Sequence, residues 1–170
     1  MTQNKKPKVV AVSGGFDPIH PGHIRMLKEA KDLGDVLVVI LNNDNWLLKK
    51  KKFTFMTVKE RKEVLEAIKY VDEVLVSGHK HDPEDMSVSE ELRRLKPDIF
   101  ANGGDRNIQD ARNRSSSLNR DLAVCQRYGI KMVYNVGAGG KIQSSSWLIE
   151  KAAKTAPRKV DVIIKKRRLS

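Results

Sequence analysis

Lys8-Val9-Val10-Ala11-Val12-Ser13-Gly14-Gly15-Phe16-Asp17-Pro18-Ile19-His20-Pro21-Gly22-His23 holds a full change of backbone geometry in one short stretch. After Lys8 the residues are β-branched or small and uncharged, the pattern of a central strand buried on both faces. Gly14-Gly15 breaks that strand. From Pro21 to Lys31 the apolar positions Ile24, Leu27 and Ala30, continued by Leu33, recur at helical spacing, with Pro21 suited to the first turn and Gly34 to the stop. Strand, tight turn and helix are therefore predicted in succession, as in a parallel α/β sheet.

The alternation continues along the chain. Asp35 to Leu41 reads as a second buried strand, and Thr57 to Tyr70 as an amphipathic helix with Val58, Leu65 and Ile68 on one side. Strands are expected at Val71–Val76, Pro97–Ala101 and Ile130–Tyr134, with helices near Ser87–Leu95, Ser115–Tyr128 and Ser144–Lys154. Parallel strands joined by helices require right-handed crossovers, so the expected fold is α/β: a Rossmann-like, doubly wound parallel sheet of about five strands in a three-layer sandwich. Ligands of such sheets sit at the carboxyl ends of the strands.

The chain divides into a basic lead over residues 1–8, a domain over 9–156 and a basic tail over 157–170, in which Val160 to Ile164 reads as an edge strand or docking segment. Hydrophobic residues make up 39% of the 170 residues and aromatics only 5%, so the core rests on aliphatic side chains. Cys125 is the only cysteine, which excludes an internal disulfide and a thiolate zinc site and suits a reducing, cytoplasmic setting. No apolar run approaches the roughly 18 residues of a membrane span, and no export cleavage pattern is seen. Met1 to Lys8 carries three lysines and no acid, and Pro157 to Ser170 six basic residues against Asp161. The ends thus hold two-thirds of the net charge of +12, which favours solvated tails over a nucleic-acid surface.

The first turn carries the clearest chemistry. Gly14, Gly15 and Gly22 let backbone approach a phosphate, and a helix N-terminus offers unpaired N–H groups and a positive dipole end. His20 and His23, three residues apart at that end, can both donate to polyphosphate oxygens. His79 and His81 lack an evident third ligand and are expected in solvent, so no metal site is assigned to side chains.

The Gly14–His23 segment resembles the signature of the His-x-Gly-His nucleotidyltransferase superfamily, which includes cytidylyltransferases and small-molecule adenylyltransferases. The resemblance spans roughly Val9 to Ala153. It implies transfer of a nucleoside monophosphate from ATP or CTP, with Mg²⁺ on the triphosphate, to a phosphorylated small molecule such as a sugar or polyol phosphate. Pyrophosphate leaves by in-line attack without a covalent intermediate. By the same resemblance His20 and His23 stabilise charge on the triphosphate, with Phe16 and Asp17 lining the nucleotide site. Ser144, Ser145 and Ser146, in a serine run before a helix, resemble the late motif that holds the β and γ phosphates. Ser115-Ser116-Ser117 lacks a preceding glycine-rich loop and reads as a helix cap.

Lys50, Lys51 and Lys52 occupy the region where relatives place a mobile phosphate-seeking lysine, and Lys51 is the central candidate. Asn42 and Asp44 follow the second strand, where acceptor contacts are expected. Arg61 lies in a stretch resembling a recurrent family segment, in a structural or phosphate-facing role. Gly103-Gly104-Asp105 resembles a turn that lines the nucleotide pocket of heptose-phosphate adenylyltransferases. Cytidylyltransferases of glycerol phosphate usually carry an arginine before the late serine motif, where this chain has Gly137-Ala-Gly-Gly-Lys141, so ATP is slightly favoured over CTP. The resemblance also implies a homodimer. A non-catalytic nucleotide or nucleic-acid binder is the remaining alternative.

Overall fold

The computed structural model describes residues 6–104, 106–137 and 144–155. Asp105, residues 138–143 of the glycine-rich loop and its continuation, the tail beyond Thr155 with Val160 to Ile164, and all of the lead before Lys6 lie outside the described residues.

Five strands form one parallel sheet: β1 (Val9–Gly14), β2 (Val36–Leu41), β3 (Glu73–Val76), β4 (Ile99–Gly103) and β5 (Lys131–Val136), in the order β3-β2-β1-β4-β5. Alternation along β1 sends Val10 and Val12 to one face and Ala11 to the other, and β2 divides Leu37, Val39 and Leu41 from Ile40 in the same way. Each face therefore needs its own cover. Helix α1 (Pro21–Lys31) lays Leu27 and Ala30 on the first face and α3 (Val58–Glu66) adds Leu65. On the second face, α4 (Ser89–Leu95) and α6 (Ser117–Tyr128) enclose Phe100 with Leu92, Leu118 and Cys125. This is the expected Rossmann-like sandwich, and α1 has the bounds its periodicity predicts.

Two helices were not anticipated. In α2 (Asp44–Lys51) the buried residues Trp46 and Leu47 are adjacent rather than periodic, and a lysine run closes the helix. Asn43 starts it by accepting the Trp46 N–H. The short α5 (Ile108–Arg112) is likewise capped by Asn107. The last helix, α7 (Ser145–Thr155), follows the expected serine run. Ser116 caps α6 through the Leu118 N–H, as expected of the other serine tripeptide. His79 departs from its expected exposure. It is half-buried, with Nδ1 2.7 Å from Ser77 Oγ and Nε2 2.9 Å from the Ser87 carbonyl, while His81 is exposed.

The two ends of the sheet are finished differently. At the amino ends, Asp35, Asp98 and Asp72 accept the N–H groups of Lys8, Val9 and Leu37. At the carboxyl ends the loops are tied together by one side chain, Arg61, only 1% exposed. Its guanidinium donates to the carbonyls of Gly15 and Asn42 at 2.7 Å each, to the Met56 carbonyl at 3.1 Å and to Asp44 Oδ1 at 2.6 Å.

Arg61→Ala leaves those carbonyls and the Asp44 carboxylate without their donor, a change that costs about 3–5 kcal/mol when a buried ion pair is broken. The expected result is a thermal midpoint lowered by more than about 6 °C, read by calorimetry. A shift within error would show that the loops stand without the guanidinium.

Candidate active site

Strand order reverses direction at β1, whose neighbours β2 and β4 lead to opposite halves of the sheet. A crevice opens at that point, above the carboxyl ends. Here it is a cavity of about 330 Å³ whose wall includes the β1–α1 turn, the ends of β4 and β5 and the first turns of α6 and α7.

The turn is shaped by what its glycines admit. A Cβ on Gly22 would lie 2.9 Å from His20 Cε1, so only glycine lets the imidazole fold back over the helix start. His20 is the N-cap of α1 and stacks on His23, with ring centroids 3.7 Å apart. Phe16 packs against His23 in a tilted arrangement, with ring centroids 4.9 Å apart. His23 Nδ1 accepts the His20 backbone N–H at 3.3 Å, so the neutral ring carries its proton on Nε2. His20, 7% exposed, has an Nδ1 that is buried without a partner among the described residues.

Both imidazoles are kept neutral by their surroundings. Burial, then His20 and Lys51, pushes His23 down to about 3. Burial, then Lys51 and Arg25, lowers His20. Lys51 donates to the Asp17 carbonyl at 2.9 Å, and its own affinity for a proton is lowered chiefly by burial. The turn thus brings hydrogen-bond donors and the positive charge of Lys51 around two neutral imidazoles, which is chemistry for an anion.

The late serines arrive from the other side. Ser145, buried, donates to the Pro18 carbonyl at 2.8 Å and so ties the start of α7 to the β1–α1 turn. Ser144 accepts the Trp147 N–H at 3.3 Å, and Ser146 is exposed on the cavity wall. Two helix N-termini therefore meet at one turn, each with unpaired N–H groups.

Most of the expected residues gather here: Gly14, Gly15, Phe16, His20, Gly22, His23, Asn42, Lys50, Lys51, Gly103, Gly104 and the three serines line the cavity. Asn42 Oδ1 is buried and unpartnered among the described residues. The lysines of the run point to different partners: Lys51 turns to the β1–α1 turn, Lys49 pairs with Asp82, Lys50 lies over the Trp46 ring and Lys52 is the exposed C-cap of α2.

Three expected ligand contacts have other employment. Asp17 is fully buried, and its two oxygens accept the N–H groups of Phe55 and Met56 at 2.8 and 2.7 Å. Asp44 and Arg61 are joined to each other, and Arg61 is spent on carbonyls. These residues set the loops rather than line the cavity. Conversely, Asp121 and Ser117 on α6 line it without having been anticipated. Asp121 follows Leu118 by three residues and precedes Cys125 by four, so an acid on the apolar face of a helix was the available signal.

The family model described as cytidylyltransferase-like matches residues 11–166. An FAD synthase of Pyrococcus horikoshii is 38% identical over 127 residues, 73% of this chain and 82% of that protein. A glycerol-3-phosphate cytidylyltransferase of Bacillus subtilis is 47% identical over 68 residues, 40% of this chain and 53% of its own length. Among solved structures, a lipopolysaccharide core biosynthesis protein of Thermoplasma volcanium superposes with a TM-score of 0.59 at 29% identity, over 79% of this chain and 100% of the other. Sheet order, the stacked histidine pair and these matches together place the chain in the cytidylyltransferase-like family of nucleotidyltransferases.

Proposed function

We propose that this nucleotidyltransferase is an adenylyltransferase that joins AMP from ATP to flavin mononucleotide, making FAD and pyrophosphate. The observation that carries the reading is the reach of the likeness. The FAD synthases of Pyrococcus horikoshii and Pyrococcus abyssi align with 73% and 69% of this chain, whereas the cytidylyltransferase match ends at 40%. The phosphate arm of FMN is a ribityl phosphate, so the acceptor is a polyol phosphate that also carries a planar ring. That refines the acceptor class expected from sequence.

In the reaction a phosphate oxygen of FMN attacks the α-phosphorus of ATP, a P–O bond forms, and the bond from the α-phosphorus to the bridging oxygen breaks. Pyrophosphate takes the electron pair. The chain's task is to position the reactants and to meet charge where it develops. His23 Nε2–H donates to the triphosphate from a ring fixed by its Nδ1 contact and by Phe16. Lys51 and the first turn of α7 face the same oxygens. Mg²⁺ enters as part of the MgATP substrate. The cavity's donors suit phosphate oxygens, and among the described residues no cluster of His, Cys, Asp or Glu is arranged to hold a metal.

With purified protein, MgATP and FMN should release pyrophosphate with stoichiometric FAD, resolved by chromatography. CTP with glycerol 3-phosphate is the competing pair, and turnover of that pair alone would replace the reading. His20→Ala should lower kcat by about a hundredfold while the KM for MgATP changes little. An unchanged kcat would remove the imidazole from catalysis.

The depressed His23 also links stability to pH. Its folded value of about 3 lies below the ordinary 6.5, so below pH 6.5 the unfolded chain binds the extra proton and stability is lost as pH falls. Asp121, raised to about 7, acts in the opposite direction over the same range, so the wild-type profile alone does not isolate His23. The difference in unfolding free energy between wild type and His23→Gln should shrink by about 2 kcal/mol from pH 6.5 to pH 5. Parallel denaturation curves at the two pH values would contradict a neutral, buried imidazole.

A further inference from the structure

Of the two histidines in the β3–α4 connection, His81 is in solvent and His79 is not. His79 stands off the cavity wall and outside both apolar clusters of the core, yet its carbonyl and both ring nitrogens are engaged. The carbonyl accepts the side-chain amides of Asn43 and Asn45 at 2.7 and 2.9 Å. That contact turns the Asn43 amide so that its oxygen meets the Trp46 N–H and caps α2. Ser77 Oγ accepts the Asn43 backbone N–H at 3.1 Å, which leaves its one hydrogen for His79 Nδ1 at 2.7 Å. Nε2 faces the Ser87 carbonyl at 2.9 Å, and a carbonyl only accepts, so Nε2 carries the ring proton. Donors therefore point one way along the whole chain of bonds, from the start of α2 to the segment before α4.

We propose that His79 is a positioning residue for nucleotidyl transfer, clamping the start of α2 to the segment before α4 and so fixing the cavity wall that both supply. Helix α2 brings Trp46, Leu47, Lys50 and Lys51 to that wall, and the segment before α4 brings Met86 and Val88. A second bond crosses the same seam, from Trp46 Nε1–H to the Met86 carbonyl at 2.9 Å, so two consecutive carbonyls are held from the α2 side. Ser77 and Ser87 are 3% and 6% exposed, and water is poorly placed to take over either contact. The proposal goes beyond the FMN reading and does not depend on it, since it needs only the transferase chemistry.

With both nitrogens occupied and the ring off the wall, His79 acts through these residues and not on a substrate. Lys51, in the last turn of the same helix, donates to the Asp17 carbonyl in the β1–α1 turn. A helix released at its first turn moves as a rod, and a misplacement of about 1 Å among reacting groups weakens the transition state more than ground-state binding. The sheet and its aliphatic faces do not include His79, so the fold should survive its replacement.

The test measures kcat and nucleotide KM by pyrophosphate release in wild type, His79→Phe, His79→Asn and His79→Gln, with thermal unfolding of each. MgATP and FMN are the substrates, or CTP and glycerol 3-phosphate if wild type turns over only that pair. Phe keeps the bulk of the ring without its polar atoms and should lower kcat about tenfold, while nucleotide KM stays within about threefold. Gln carries an N–H at the reach of Nε2 and should bring kcat back to within about threefold of wild type; Asn reaches only as far as Nδ1 and should resemble Phe. Placing each change in a Trp147→Phe background leaves Trp46 as the one tryptophan. Its emission should move to longer wavelength in His79→Phe and stay in place in His79→Gln.

Wild-type kcat in His79→Phe would overturn the proposal, as would unchanged Trp46 emission in that variant. Equal losses in Phe and Gln would do the same, because the bond to Ser87 would then carry nothing. Two-bond proton–nitrogen NMR of wild type decides the matter even if His79→Phe does not fold. The neutral ring should be protonated on Nε2 with Nδ1 bare, and protonation on Nδ1 instead would remove the clamp.

Discussion

The carboxyl end of this sheet depends on a buried guanidinium. Arg61 binds backbone from the β1–α1 turn, from the end of β2 and from the α2–α3 connection, and it pairs with the first residue of α2. Removing a cation of that size from water is costly unless each N–H finds an acceptor, so the carbonyls have to stand where the guanidinium can reach them. Asp17 acts in the reverse sense, as a buried anion that gathers the N–H groups of Phe55 and Met56. One ion collects carbonyls and the other collects amides. Between them the β1–α1 turn is fixed to the connection that follows Lys51.

That arrangement bears on how the imidazoles work. Were Arg61 or Asp17 turned into the cavity, the field at His20 and His23 would be set by charges free to move with the ligand. Instead the rings meet a fixed neighbourhood in which burial and Lys51 hold them neutral. Rings held in this way are hydrogen-bond donors that need no reorientation to meet an anion. The tilted contact with Phe16, the stacking of His20 on His23 and the clearance that Gly22 allows are the local means of keeping the rings in place.

Much of this was readable in advance, for physical reasons that differ from one element to the next. The bounds of α1 follow from a proline at its first position and an apolar period, both local properties. The two-faced burial of β1 and β2 follows from uninterrupted aliphatic runs. Helix α2 was illegible because its stability comes from Asn43 at the cap and from docking of Trp46 and Leu47, not from a repeating apolar stripe. Arg61 and Asp17 were recognised as consequential, but a sequence does not say whether a charged group will face ligand or backbone. That choice is made by tertiary hydrogen bonds between residues as far apart as Gly15 and Arg61. Asp121 was passed over for a similar reason, since an acid on the buried side of α6 acquires meaning only when the helix start is seen to line the cavity.

The two faces of the sheet also divide the labour of a bisubstrate site. Phosphate recognition draws on helix N-termini, glycine backbone and imidazole, all indifferent to what the phosphate is attached to. Discrimination has to come from the other arm, where side chains of α2 and α6 replace backbone as the lining. A family that keeps the first arm can therefore change acceptors by altering the second. Relatives named FAD synthase and glycerol-3-phosphate cytidylyltransferase both match this chain. In the chain described here, a buried acid and an indole, Asp121 and Trp46, stand in that second part of the wall.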